Sequence, residues 1–237
     1  MRLDNYLVEA KYCKSREKAK MLILEGKVSL GDRLILKPSF ELPIDLQDFL
    51  VVDKSELFVS RGAQKLLGYL QTNQIDCLDK HVLDVGSSTG GFAQVLLEKG
   101  ARKVTCVDVG KDQLDLDLRR NPKIRLFEQC DIRDFFSQEI FDFIVCDISF
   151  ISLSKILDAL VRLGNEFILL FKPQFEVGRD VKRNKKGVIF DKLAIKTRLD
   201  NFLNELENKK LKVFDVKKSV LKGKEGNEEF FIYAKKF

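Results

Sequence analysis

Apolar positions in the first ~58 residues follow a different rhythm from those after them. Leu3, Tyr6, Leu7 and Ala10 recur at three- and four-residue intervals, which predicts a helix over Arg2–Tyr12. Ser15 has the short hydroxyl side chain of an N-cap, and a second helix is expected over Arg16–Glu25, with Ala19, Leu22 and Ile23 on one face. Gly26 supplies its stop. Short apolar runs then predict strands at Lys27–Leu30, Leu34–Leu36 and Phe49–Val52, with a Gly31-Asp32 turn between the first two. Residues 1–58 therefore read as a small α+β module. Residues 54–61 read as a short ordered linker, since they hold neither Gly nor Pro.

Beyond the linker, strand-length and helix-length segments alternate. A helix is predicted at Ala63–Gln71, and strands at His81–Val85, Lys103–Val109, Ile124–Glu128, Phe141–Asp147, Glu166–Phe171, Lys212–Ser219 and Glu229–Lys235. Helices are predicted between most of them, at Phe92–Lys99, Gln113–Arg119, Ser154–Leu163 and Asp191–Asn208. The early strands are apolar without strict alternation, as in a parallel sheet covered on both faces. No helix separates the last two strands, so they are expected to form an antiparallel hairpin. Residues 59–237 are thus expected to be an α/β domain, mostly parallel, with the last strand antiparallel.

Composition narrows the class. Of 237 residues, 45% are hydrophobic and 33% charged, which fits a globular chain rather than a disordered one. No apolar run reaches the ~18 residues of a membrane-spanning helix, and Met1-Arg2-Leu3-Asp4-Asn5 lacks the layout of a secretion signal. Five cysteines without a C-x-x-C pair are expected to be reduced thiols of a cytoplasmic protein. The single histidine, His81, excludes a histidine metal cluster and argues against a Ser-His-Asp triad, so no metal is expected.

The net charge of +6 says less than its distribution. Residues 1–40 carry nine Lys/Arg against five Asp/Glu, and 179–186 carry five against one. Residues 41–58 carry one against five. Basic charge is therefore concentrated locally, as contact with phosphates requires.

The run from His81 to Phe92 reads as strand, glycine-containing loop and helix start. Its candidates for holding a ligand are Asp84, Gly86, Ser87, Ser88, Thr89, Gly90, Gly91 and Phe92. Glycines let the backbone approach a ligand, and a helix start offers free N–H groups. A dinucleotide fingerprint needs glycine at 86, 88 and 91, but position 88 is serine, which argues against a dehydrogenase. Asp108 and Asp131 sit at the ends of the next two predicted strands, the edge where open α/β sheets collect ligands. The Asp-x-Gly-x-x-x-Gly loop resembles that of Rossmann-like S-adenosylmethionine (SAM) methyltransferases. That resemblance implies that Asp84 orients the loop or meets the methionine ammonium. It also implies that Asp108 accepts from the ribose hydroxyls and Asp131 from the adenine amino group.

The acceptor can be narrowed too. Cys146-Asp147-Ile148-Ser149-Phe150 lacks the prolines of amino-group methyltransferases. Strand alternation turns Cys146 away from Asp147, which disfavours a cytosine C5 enzyme with a cysteine nucleophile.

Arg2-Leu3-Asp4-x-x-Leu7, Ser15-Arg16, Gly26-x-Val28 and Lys37-Pro38-Ser39 together resemble an S4 RNA-binding domain, with Gly31-Asp32 where that family usually has Asn-Gly. The resemblance implies RNA contacts from Arg2, Lys14, Ser15, Arg16, Lys18 and Lys20. Ser-Arg-Gly-x-x-Lys-Leu at 60–66, Asp-Ile-Ser-Phe at 147–150 and Lys-Pro-Gln-Phe-Glu at 172–176 complete a second set with Asn-x-Glu-Phe at 227–230. This set resembles the Lys-Asp-Lys-Glu tetrad of FtsJ/RrmJ-type ribose 2′-O-methyltransferases. Across the whole chain it is similar to the TlyA family of rRNA cytidine 2′-O-methyltransferases, some of whose members are labelled haemolysins.

What the resemblance implies is specific. The tetrad falls on Lys65, Asp147, Lys172 and Glu229, with Asp147 also against the cofactor. Lys172 is expected to be the orienting base, positioned by Asp147 and Glu229, with Lys65 supplying positive charge beside the substrate. Arg61 and the run Arg179, Lys182, Arg183, Lys185 and Lys186 are expected to hold rRNA phosphates. The cofactor is SAM and the partner is rRNA within a ribosomal subunit. The S4 pattern starts at Arg2 and the last strand ends near Phe237, which resembles the shorter family form and predicts 23S rRNA of the large (50S) subunit as the substrate. The competing readings are a non-catalytic RNA-binding assembly factor and a membrane-active haemolysin.

Overall fold

The three-and-four spacing near the N-terminus becomes two helices, α1 (Leu3–Glu9) and α2 (Arg16–Leu24), in the computed structural model. The described residues are 1–237 without Lys14, 54–57 and Arg179. Lys14, Arg179 and half of the expected linker therefore lie outside them. The chain divides into two compact units, Met1–Leu57 and Phe58–Phe237.

In the first unit, Ser15 caps α2 by accepting the Lys18 N–H at 3.3 Å. Strands β1 (Val28–Leu30), β2 (Arg33–Leu34) and β3 (Leu50–Val52) form an antiparallel sheet in the order β2-β1-β3. Leu3, Leu7, Ala19, Leu22 and Ile23 of the helices pack on Val28, Ile35, Leu42 and Leu50. The strand expected at Leu34–Leu36 is observed at Arg33–Leu34, with Ile35 buried in this core, its N–H still donating to the Val28 carbonyl at 2.9 Å, and Leu36 exposed. A 3-10 helix at Ile44–Phe49, launched by Pro43, has no apolar period and was not expected.

Asp4 is fully buried in this unit and takes three charge-assisted hydrogen bonds. Arg2 donates twice at 2.9 and 3.0 Å, and Arg16 donates once at 3.0 Å. The Arg2 guanidinium, joined by Arg16, holds the Asp4 carboxyl well below the usual carboxylate range.

The second unit holds α3 (Arg61–Asn73), β4 (His81–Val85), α4 (Gly91–Glu98), β5 (Lys103–Val107), α5 (Leu116–Arg119), β6 (Ile124–Phe127) and β7 (Phe143–Cys146). It continues with α6 (Leu157–Leu163), β8 (Glu166–Phe171), α7 (Pro173–Glu176), α8 (Lys192–Asn208), β9 (Leu211–Lys218) and β10 (Phe230–Lys236). Among the described residues these strands make one seven-stranded sheet in the order β6-β5-β4-β7-β8-β10-β9. Only β10 runs antiparallel to its neighbours, and it lies between β8 and β9. The α/β class and the antiparallel last strand are as expected.

Each strand feeds two cores. Phe143 and Val145 pack with α3 and α4 on one face, while Ile144 and Cys146 pack with α6 and α8 on the other. The chain leaves β4 outward to β5 and β6, then returns to β7 and β8 on the other side. That reversal opens a crevice at the β4/β7 strand ends.

Local contacts explain the boundary differences. The helix expected at Gln113–Arg119 shortens to α5, because Glu128 takes the Gln113 N–H at 3.1 Å and Asp115 caps at Asp117. Proline at the first helical position starts α7, directly after Lys172.

The Asp4 cluster gives a stability prediction. Asp4→Asn is expected to destabilise the first unit by about 2 kcal/mol at neutral pH, the scale of charge-assisted hydrogen bonds lost in a buried setting. A carboxyl held below its unfolded value stabilises above about pH 4, and that contribution falls away as pH drops through the folded value. Urea denaturation from pH 7 down to about pH 2 should therefore show the gap between wild type and Asp4→Asn start to narrow below about pH 4 and keep narrowing toward the acid end; a gap that stays constant with pH counts against the ionic role.

Candidate active site

The site begins where two strands end. Val85 accepts the Asp147 N–H at 3.0 Å, so the segments leaving β4 and β7 start side by side. Gly86 has φ +78°, and a Cβ there would lie 3.1 Å from the Asp147 carbonyl oxygen. Only glycine permits this backbone approach. Helix α3 is brought alongside by the Val59 N–H, which donates to Gln94 of α4 at 2.8 Å, and by Ala63 and Leu66 packed with Phe92.

The result is a cleft with two arms. One, of about 270 Å³, is lined by Asp108, Gln113, Asp131, Ile132, Ile148 and Phe150 among others. The second, of about 430 Å³, is lined by Arg61, Lys65, Thr89, Phe92, Lys172 and Lys224 among others. Gly86, Ser88, Asp147 and Ser149 line both, and so mark the junction.

In the first arm, Asp108 accepts the N–H groups of Ser88 at 2.8 Å and Gly110 at 2.7 Å. It shapes the loop with one lone pair of each oxygen and leaves the other for a ligand. Asp131 accepts two bonds from the Arg133 guanidinium, at 2.9 and 2.6 Å, which hold its carboxyl below the usual range. Asp84 is fully buried and lines neither arm. Burial, together with the nearby Asp147, pushes its carboxyl well above the usual range against the pull of the Ala93 backbone N–H. Asp84 therefore stands under the loop rather than in the cleft. Gly90 also lines neither arm; Ser87, Thr89, Gly91 and Phe92 line the second.

The register of the sheet assembles the remaining charges. Phe230 pairs with Phe171, which sets Glu229 and Lys172 next to each other at adjoining strand ends. Lys65 donates to Glu229 Oε2 at 2.6 Å. The Lys172 ammonium lies 2.7 Å from Asp147 Oδ1 and donates to Ser149 Oγ at 2.9 Å and to the Asp147 carbonyl at 3.4 Å. Gln174 donates to Glu229 Oε1 at 3.2 Å. Lys65 and Lys172 are each 8% exposed and Glu229 is 3% exposed. Glu228, by contrast, faces outward and pairs with Lys218 at 2.9 Å. Desolvation pushes the Asp147 carboxyl upward against the pull of Lys172. Cys146 lies in the core on the opposite face, where burial pushes its thiol up to about 12, far from a nucleophile.

Residues 58–236, which hold this cleft and its two lysine–carboxylate pairs, match the FtsJ-like methyltransferase family. An S4 domain profile matches residues 1–47. The chain is 44% identical to the 23S rRNA (cytidine-2′-O)-methyltransferase TlyA of Campylobacter jejuni, covering 98% of each chain. The chain belongs to the TlyA family. It is 35% identical to the 16S/23S rRNA (cytidine-2′-O)-methyltransferase TlyA of Mycobacterium tuberculosis, over 99% of this chain and 89% of the relative. The solved structure of a Lactococcus lactis protein described as a hemolysin superposes with a TM-score of 0.72 at 36% identity, covering 76% of this chain and 89% of the other. Among the described residues no helix is long and apolar enough to cross a membrane. The fold is shared with a solved SAM-dependent methyltransferase, and the relatives named above modify rRNA.

The expected RNA contacts divide into committed and open groups. Arg2 and Arg16 are tied to Asp4, Lys20 pairs with Glu17 at 3.2 Å, and Lys18 is half-buried. Arg183 folds back onto the carbonyls of Gly178 at 2.6 Å and Gln174 at 3.3 Å. Lys182, Lys185 and Lys186 stay exposed.

Several lining residues had no sequence signal of their own. Ser149 and Phe150 follow Asp147 in the Asp-Ile-Ser-Phe segment, and neither residue type by itself points to a ligand. Phe150 is 90% exposed, has φ +71° and packs beside Phe175 with ring centroids 5.3 Å apart. Lys224 reaches the second arm from a turn far along the chain.

The Lys65–Glu229 pair predicts strong coupling. Lys65→Met leaves a buried carboxylate unpaired and should cost about 3–5 kcal/mol of stability, whereas removing both charges in Lys65→Met/Glu229→Leu should recover most of that loss. Chemical denaturation of the single and double variants measures the coupling; additive losses would mean that the pair does not interact.

Proposed function

We propose that the protein transfers the methyl group of SAM to the 2′-hydroxyl of a cytidine in 23S rRNA, with the tetrad Lys65, Asp147, Lys172 and Glu229 at the reacting atoms. The observation that carries this reading is the junction. Lys172 lines the wider, cation-lined arm and reaches Asp147 and Ser149, the residues that also line the arm carrying Asp108 and Asp131.

SAM supplies a sulfonium methyl that is already electrophilic. What the chain must add is alignment of a weakly nucleophilic hydroxyl and a place for its proton. Lys172 donates toward three acceptors at once, and of these Ser149 Oγ is the hydroxyl open to the cleft. An incoming ribose hydroxyl is of the same chemical kind and can exchange with it. Asp147 and Glu229 fix the two lysines, and Lys65 adds positive field beside the acceptor oxygen.

The first arm suits the adenosine part of SAM. Asp108 has lone pairs left for the ribose hydroxyls, Asp131 faces the adenine side, and Asp84 supports the loop of Gly86 and Ser88 from below. The exposed Phe150 ring at the mouth offers a face on which an unstacked base can rest. Residues 1–58 serve docking on rRNA and 59–237 carry the chemistry, with Lys182, Lys185 and Lys186 on the phosphate backbone. The choice of 23S rRNA follows the more similar of the two rRNA-modifying relatives.

Purified 30S and 50S subunits incubated with labelled SAM should take up label in 50S only, at a cytidine 2′-oxygen. Label in neither subunit, or on a base atom, overturns the reading. Lys172→Ala should abolish transfer while SAM affinity stays within about threefold, and near-normal turnover would remove Lys172 from the mechanism. Asp108→Ala should weaken SAM binding by about 1–3 kcal/mol, the cost of an unpaired buried polar group; unchanged affinity by calorimetry would refute its place at the ribose.

A further inference from the structure

The cations lining the second arm are not equivalent. Lys65 is neutralised by Glu229 and Lys172 by Asp147. Arg61 and Lys224 remain, and among the described residues neither pairs with a carboxylate. Both are exposed. The wall of this arm therefore carries two uncompensated positive charges beside two compensated ones.

These two charges are held together by the backbone. The Arg61 guanidinium donates to the Lys222 carbonyl at 3.0 Å, which fastens the start of α3 to the turn that carries Lys224. That turn is closed by the Gly223 N–H donating to the Asn227 carbonyl and the Gly226 N–H donating to the Gly223 carbonyl, both at 2.9 Å. It sits directly against the tetrad, because a Cβ on Gly223 would lie 2.6 Å from Glu229 Oε1. Buried Asn227 then accepts the Ile189 N–H at 3.0 Å and donates to the Gly187 carbonyl at 3.3 Å. The turn with Lys224 and the segment with Lys185 and Lys186 are thus parts of one braced wall.

We propose that Lys224, with Arg61, holds the phosphodiester next to the target ribose, and so fixes the RNA strand in the second arm. The proposal rests on the reading of the site as an RNA 2′-O-methyltransferase. A ribose that reaches the junction carries phosphodiesters on its own 3′ and 5′ oxygens, so negative charge enters the arm with it. An exposed cation pair at the mouth of the same arm meets that charge, while the compensated lysines deeper in leave no net charge for an anion to seek. The anion of competing origin is the methionine carboxylate of SAM. The braced wall favours RNA, because the turn with Lys224 is joined to the exposed basic segment and not to the loop of Gly86 and Ser88.

The test uses the full chain and purified 50S subunits. Lys224→Ala should weaken subunit binding about three- to tenfold at ~0.15 M salt, and lower the slope of log K against log salt by about 1, as for one lost phosphate contact. The loss in kcat/KM should come through KM, SAM affinity by calorimetry should be unchanged, and Lys224→Arg should restore binding. Unaltered RNA affinity and salt slope overturn the proposal. So does a loss of SAM affinity with RNA binding intact, which would hand the pair to the methionine carboxylate. Binding is measured without SAM, so a wild-type protein that binds subunits but transfers no methyl group would refute the functional reading while leaving the phosphate contact to be judged on its own.

Discussion

Two pairs of opposite charges withdrawn from water at one sheet edge set the terms for the rest of the catalytic unit. Desolvating a lysine or a carboxylate costs several kcal/mol, and the mutual attraction of a pair recovers this only with close geometry. Lys65 with Glu229 and Lys172 with Asp147 meet that condition at 2.6 and 2.7 Å. Their four residues come from α3 and from the ends of β7, β8 and β10, so every one of those elements must be in register. An apolar replacement could be as stable or more so. On the mechanism proposed above, the advantage of the arrangement is positional: ammonium groups held rigidly where the acceptor oxygen is aimed.

Much of this was legible in the residues. Parallel strands announced themselves as apolar runs; of the three acids read at their ends, Asp108 directly follows β5, Asp131 lies in the loop after β6, and Asp84 falls inside β4. Lys172 and Glu229 were readable only through motif resemblance, since a single lysine after an apolar run is indistinguishable from a surface residue. Asp84 and Asp108 look alike in sequence, yet one is sealed beneath the loop and the other opens onto the cleft. That difference depends on how the loop folds over its strand. Lys224 could not be read at all, because its turn is fixed by the Arg61 guanidinium on the Lys222 carbonyl and by Asn227 on the Ile189 N–H, links that span 161 and 38 positions in sequence.

The N-terminal unit uses charge differently. Arg2 and Arg16 were expected as RNA contacts, and both are spread around the buried Asp4. A guanidinium has five donors, so a carboxylate on one edge leaves others for a phosphate. Asp4 thus orders two long side chains that would otherwise lose rotamer freedom on meeting RNA. It also reduces the net charge they present.

The position of β10 has a consequence for biosynthesis. This strand is the last in the sequence, yet it fills the gap between β8 and β9 and delivers Glu229 beside Lys65. A nascent chain complete through β9 would still expose two unpaired edges and lack one member of the tetrad. The sheet closes only once β10 has been made, since β9 joins it through β10 alone. Assembly of the lysine–carboxylate edge is thereby tied to synthesis of that strand, and a chain cut before Phe230 would hold a sheet with an open seam.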